Sequence, residues 1–159
     1  ELAEAITKAV KRYKALIEHN NNVSPEDEKI TDTITALESR TTKIIKTLPV
    51  KNSKVKLAIY DNGEIDNDIV SLYFNDSLLV DHKTLSRQPL MLEIAIKEGN
   101  KNELTLFANN MGNISPNTAL MIITDGVNRY EERLSADLKT NASIRFELKQ
   151  EAGTTKPKP

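Results

Sequence analysis

The chain has 159 residues, with 22 lysines and arginines against 23 aspartates and glutamates, so its formal net charge is −1. A chain this close to neutral has no general positive field to attract nucleic acid or anionic membranes, and we expect neither as a partner. Cysteine is absent, which excludes disulfides, thiolate metal sites and cysteine nucleophiles. The longest apolar stretch, 119–123, is far shorter than the roughly 20 residues needed to span a bilayer, so no membrane span is expected.

The opening residues 1–40 have the pattern of an N-terminal helical segment. Apolar residues at spacings of three and four predict a first amphipathic helix at about residues 2–19, which either docks on other secondary structure or presents its apolar stripe to a partner. Ser24 can cap a second helix and Pro25 suits its first turn. We expect this second helix to end near Ser39.

From about residue 41 the apolar period changes to two, which is typical of β-strands. Alternating segments separated by turn signals continue to residue 149, with 119–124 predicted as a central strand, 130–134 as an edge strand and Asn75-Asp76 as a tight turn. No helical period lies between them. The sequence therefore predicts a mainly β protein: an antiparallel β-sandwich of about eight strands at 41–149, after the short helical segment and before a disordered tail at 150–159.

An acidic loop, residues 61–68, separates two of the predicted strands. Its four carboxylates could surround a hard cation such as calcium, which takes six to eight oxygen ligands; these candidate metal ligands are Asp61, Glu64, Asp66 and Asp68. Their spacing does not match the twelve-residue helix–loop–helix site, so any such site would be an irregular one between strands. The alternative is a structural loop in which Asn62-Gly63 turns and the aspartates accept hydrogen bonds from nearby backbone amides.

A second polar stretch, residues 109–118, is rich in asparagine and is called the asparagine loop below. Its candidate ligand-binding residues are Asn109, Asn110, Asn113 and Asn117. The alternative is that these short side chains brace a long loop by pairing with its backbone. A binding face becomes more credible if the two loops meet at one end of the sandwich.

The sequence offers little support for catalysis, and we expect no catalytic residues. His19 and His82 do not lie in a spacing typical of a catalytic triad or a metal site, and no glycine-rich phosphate cradle or nucleophile elbow occurs. Sugar-binding and sugar-cleaving sites usually add aromatic stacking surfaces. Tryptophan is absent and only four tyrosines and three phenylalanines are present, which weakens both classes.

Two motifs carry a resemblance to a known group of proteins. Residues 60–75 read YDNGEIDNDIVSLYFN, and residues 108–112 and 116–121 read ANNMG and PNTALM. These segments resemble the motifs YDNGEIDGDxVSxYxNG and AENxGxxxPNTAxM of uncharacterised secreted or lipid-anchored Bacteroidota proteins. Asn67 and Asp76 stand where those motifs have glycine. The resemblance implies a β-sandwich of unknown activity in the cell envelope or outside the cell, including a periplasmic or outer-membrane lipoprotein, and it implies no catalytic residues.

These observations predict a non-catalytic cell-envelope or extracellular module that binds an unknown protein or glycan partner or has a structural role, with no cofactor. The alternative is a calcium-stabilised β-sandwich protein with a metal-dependent binding or weak hydrolytic role. The chain opens at Glu1 with no basic and apolar leader, which is typical of a mature or trimmed chain.

Overall fold

The computed structural model describes residues 10, 11, 14 and 25–149, apart from the side chains of 26, 27, 29–31 and 33. All but three positions of the first predicted helix at 2–19, and the predicted tail at 150–159, lie outside these residues. The chain divides into two compact units between Ser39 and Arg40. The first unit contains helix α1, Pro25–Glu38. Pro25 suits the first helical position because its missing N–H needs no partner there, and Ser39 Oγ donates to the Ala36 carbonyl where the helix ends.

The second unit contains nine strands in two sheets between residues 41 and 149, which confirms the predicted mainly β fold with two sheets. The strands are β1 Thr41–Val50, β2 Lys54–Asp61, β3 Ile69–Phe74, β4 Ser77–Thr84, β5 Leu90–Ala95, β6 Glu103–Ala108, β7 Asn117–Thr124, β8 Arg129–Ala136 and β9 Thr140–Leu148. One sheet has the order β1-β9-β6-β3-β4 and the other has the order β5-β2-β7-β8. No helix among the described residues is long and apolar enough to cross a membrane.

The strand pairing corrects the prediction of a wholly antiparallel sandwich. Strands β1 and β9 pair in parallel, with Thr41 opposite Thr140, while the other strand pairs are antiparallel. A period of two predicts strands but not their direction, and two parallel neighbours need only a long connection, here the rest of the sandwich. The register shifts between Ile44 and Lys46, and both Ile44 and Ile45 are 45% exposed because this irregularity breaks the alternation.

The core lies between the two sheets and follows the predicted alternation. In β7 every second residue is buried, and this strand pairs with both β2 and β8, which confirms it as a central strand. Strand β8 pairs only with β7 in the described unit, as predicted for an edge strand. Wholly buried side chains from both sheets fill the space between: Leu57, Ile59, Met121, Ile123, Leu72, Leu104, Leu106, Ile144 and Phe146. Each such apolar side chain stabilises the fold by about 1.5–3 kcal/mol.

The tight turn predicted at Asn75-Asp76 is confirmed. Phe74 pairs with Ser77, so the two residues between them form a two-residue hairpin loop, and their φ angles are +51° and +67°. Hairpins of this length favour positive φ at both central residues because the twist of the turn then matches the twist of the strands. Asparagine and aspartate adopt this conformation more readily than other non-glycine residues.

The strand order brings the two polar loops to the same end of the sandwich. The acidic loop leads from β2 in one sheet to β3 in the other, and the asparagine loop leads from β6 back to β7. Asp61 lies opposite Ala119, and Val70 lies opposite Ala108. Both loops therefore cross between the sheets side by side, and this end is called the site end below.

Candidate functional site at the joined loops

The acidic loop and the asparagine loop are joined by hydrogen bonds from backbone amides of the second loop. Asn113 N donates to the carbonyl oxygen of Asp66 at 2.9 Å, and Ile114 N donates to Asp66 Oδ2 at 2.7 Å. Thr118 N donates to Asp68 Oδ2 at 3.0 Å. Asp66 and Asp68 are 5% and 2% exposed. These bonds hold two buried carboxylates in place through one oxygen each, because backbone donors cannot rotate away as side chains can.

Two of the predicted ligand-binding asparagines brace the loops. Asn110 Oδ1 accepts from Ile69 N, and its Nδ2 donates to the carbonyl oxygen of Asn67, both at 2.8 Å. Asn117 is wholly buried and its Nδ2 lies 3.3 Å from the carbonyl oxygen of Ile69. Their side chains satisfy backbone groups that a loop of this length leaves without strand partners. The other two candidates, Asn109 and Asn113, are more accessible, and the side chain of Asn113 is exposed.

Three of the four predicted metal ligands lie close enough to influence one another. Burial raises the pKa of Asp68, and the neighbouring charges of Asp66 and Asp61 raise it further, to about 6, against the lowering effect of the Thr118 amide. Asp61 uses Oδ1 to accept from Gly63 N at 2.9 Å, as predicted for a turn at this point. Glu64 is exposed at the outside of the acidic loop. The structure thus assembles Asp61, Asp66 and Asp68, and leaves Glu64 apart.

Gly112 packs directly against the two buried carboxylates. A Cβ atom at this position would lie 2.7 Å from Asp66 Oδ2 and still closer to Asp68 Oδ1, and the φ angle of Gly112 is +56°. No side chain larger than hydrogen fits at that distance, and positive φ also favours glycine. Two carboxylate oxygens therefore point at one place on the asparagine loop, a contact that only a glycine allows.

Several buried oxygens at the site end have no hydrogen-bond donor within the described part of the chain. These atoms are Asp61 Oδ2, Asp68 Oδ1 and Asn117 Oδ1. A buried acceptor without a donor costs about 1–3 kcal/mol, and more when it is charged. The described residues contain no group of three or more His, Cys, Asp or Glu side chains arranged to hold a metal ion. A cation here would therefore take two carboxylates together with neutral oxygens.

A serine, an aspartate and a histidine also lie together near the site end, but not as a catalytic triad. Ser71 Oγ donates to Asn109 Oδ1 at 2.9 Å and accepts from the backbone N of His82 at 3.1 Å. The imidazole of His82 instead lies 2.6 Å from Asp81 Oδ1 through Nδ1 and 3.2 Å from Asn109 Nδ2 through Nε2. A nucleophilic serine needs a hydrogen bond to its base, and this arrangement uses both imidazole nitrogens elsewhere.

The tips of the two loops carry exposed isoleucines that the sequence analysis did not select. Ile65 is 49% exposed and Ile114 is 54% exposed. The signal available in the sequence was one branched apolar residue within each polar loop, where a loop with only a bracing role would be polar throughout. Comparison of the chain with protein-family models, curated proteins and solved structures gave no match.

Proposed function

We propose that the chain is a non-catalytic binding module of the cell envelope or the extracellular space, and that it contacts a protein partner through the site end. The observation that carries this proposal is the pairing of the two loop tips. Ile65 and Ile114 stand on loops tied together by the bond between Ile114 N and Asp66 Oδ2, so two half-exposed apolar side chains lie on one braced surface. Residues Glu64 and Asn113 add exposed polar groups beside them.

The chemistry of these tips favours a protein over a glycan. A binding surface for sugars usually offers aromatic rings for stacking, whereas the exposed apolar groups at the tips are aliphatic. A small apolar centre surrounded by polar groups is the common anatomy of a protein–protein contact. The bracing bonds of Asn110 and Asn117 also lower the entropy cost of binding, because a loop that is already ordered loses less freedom.

The proposed compartment rests on the resemblance of residues 60–75 and 108–121 to secreted or lipid-anchored Bacteroidota proteins. The proposed lack of catalysis is supported by the arrangement of Ser71, Asp81 and His82, in which the imidazole does not reach the hydroxyl. A purified protein of this kind should be inert toward esterase, peptidase and glycosidase substrates.

A double variant tests the proposed surface. We expect Ile65→Ser with Ile114→Ser to reduce retention of a specific cell-envelope protein from the source organism by at least tenfold, because central apolar contacts dominate such interfaces. The matched control is Val127→Ser, which alters an apolar residue that is 63% exposed in the turn at the opposite end. The measurement is affinity capture, with the partner identified and its Kd determined by calorimetry. Equal binding by all three proteins, or retention of a glycan alone, would contradict the proposal.

A further inference from the structure

We propose that Asp66 and Asp68 bind a calcium ion where the acidic loop meets the asparagine loop, with neutral oxygens completing the site. The first step of the argument is geometric. One oxygen of each carboxylate lies within 2.7 Å of a single point beside Gly112, and amides of Ile114 and Thr118 hold the two side chains in this arrangement. Two anionic groups fixed against the same point need a positive partner.

The second step is that the site is short of positive charge and of hydrogen-bond donors. Asp68 is 2% exposed, and its Oδ1, which points at this place, has no donor among residues 25–149. The charges that act most strongly on Asp68 are those of Asp66 and Asp61, which are both negative. A buried carboxylate in such surroundings resists ionisation, and a bound cation would reverse the sign of the local field.

The third step concerns the kind of cation. The available atoms are oxygens of carboxylates and amides, and the chain contains no cysteine. Oxygen-only sites of irregular geometry suit calcium, which accepts carboxylate, amide, carbonyl and water oxygens, whereas zinc prefers nitrogen and sulfur. Asp61 Oδ2 and Asn117 Oδ1 are further buried oxygens without donors at this end, and they are the nearest candidates to complete the shell.

Calorimetry and thermal unfolding of the chelator-treated full chain at pH 7.5 test this site. We expect calcium at about tenfold above its Kd to raise the melting temperature by roughly 5 °C, because a ligand bound only by the folded state stabilises it. Magnesium should have a smaller effect, since it loses its water shell reluctantly. In NMR spectra the amide signals of Ile114 and Thr118 should shift on calcium addition, because these amides donate to the two ligands.

Two asparagine variants locate the effect. Asp68→Asn should abolish the calcium response while keeping the fold, because the amide replaces a buried charge with a neutral group of the same shape. The matched control is Asp76→Asn, which changes a half-exposed carboxylate paired with Lys101 in the β3–β4 turn and should respond like the wild type. An unchanged melting temperature with calcium, or a full response in Asp68→Asn, would overturn the proposal. So would a midpoint that rises only with acidification between about pH 7 and 5, which would assign a shared proton to the pair.

Discussion

Replacing Gly112 with alanine is expected to lower the free energy of unfolding by about 3 kcal/mol or more. Part of this loss, about 1–2 kcal/mol, is the cost of a left-handed backbone at φ +56° for a residue with a Cβ. The larger part comes from the new methyl group, which would overlap the Asp66 and Asp68 carboxylates. These side chains cannot move freely because Ile114 N and Thr118 N hold them. Urea unfolding of both proteins measures the difference.

Gly99→Ala is the matched control for this prediction. Gly99 also has positive φ, +76°, but a Cβ there would meet nothing within 4 Å. Its variant should therefore show the backbone cost alone, about 1–2 kcal/mol. A Gly112→Ala variant that loses no more stability than Gly99→Ala would show that the carboxylates do not pack against the asparagine loop.

Replacing Asp125 with alanine is expected to lower the free energy of unfolding by about 4 kcal/mol. Asp125 is 1% exposed, and its carboxylate accepts hydrogen bonds from Lys51 N, Val127 N and Asn128 N, at 2.8, 2.8 and 2.6 Å. Alanine would leave these donors without an acceptor, and each buried donor without a partner costs about 1–3 kcal/mol. Thermal and urea unfolding at pH 7 check this loss.

The turn at Asp137 provides the control, because it repeats the Asp125 turn in an exposed setting. Asp137 accepts from Lys139 N and Thr140 N, as Asp125 accepts from Val127 N and Asn128 N. It lacks the further bond that Lys51 N makes to Asp125 Oδ2. Asp137→Ala should destabilise the protein much less, since water can replace its carboxylate. Equal losses in the two variants would contradict the importance of burial.

The same carboxylate predicts how stability responds to acid. Burial raises the pKa of Asp125, but the amides of Asn128, Lys51 and Val127 and the Asn128 side chain outweigh this effect and lower it to about 2. Because the folded pKa lies below the ordinary value of 3.8, the stabilisation is fully present above about pH 4 and is lost as the pH falls toward 2. The loss amounts to about 2 kcal/mol, and it should be absent in Asp125→Ala.

Local patterns were sufficient to predict the strands but not their arrangement. The alternation in 119–124 predicted a central strand, and Asn75-Asp76 predicted a hairpin turn, because both depend on neighbouring residues alone. The parallel pairing of Thr41 with Thr140 joins residues from the two ends of the sandwich. No local signal encodes such a pairing, since the period of two is the same for either strand direction.

The candidate site shows the same division. The sequence selected Asp61, Asp66 and Asp68 by composition, but their convergence depends on two crossings between sheets and on Gly112. It also could not distinguish a bracing asparagine from a ligand-binding one, because the amide of Asn110 offers the same donors and acceptors in both roles. The exposed Ile114 was overlooked because a single apolar residue in a loop has no period.

The parallel pairing of β1 with β9 determines how the sandwich would respond to mechanical force. The chain enters β1 at Thr41 beside Thr140, and leaves β9 at Leu148 beside Val50, so the two attachment points lie at opposite ends of one ladder. A pull between Arg40 and Lys149 would slide the two strands past each other and load their hydrogen bonds together, whereas unzipping would break them one at a time. Such a unit can transmit tension along its length while the loops at the site end stay in place.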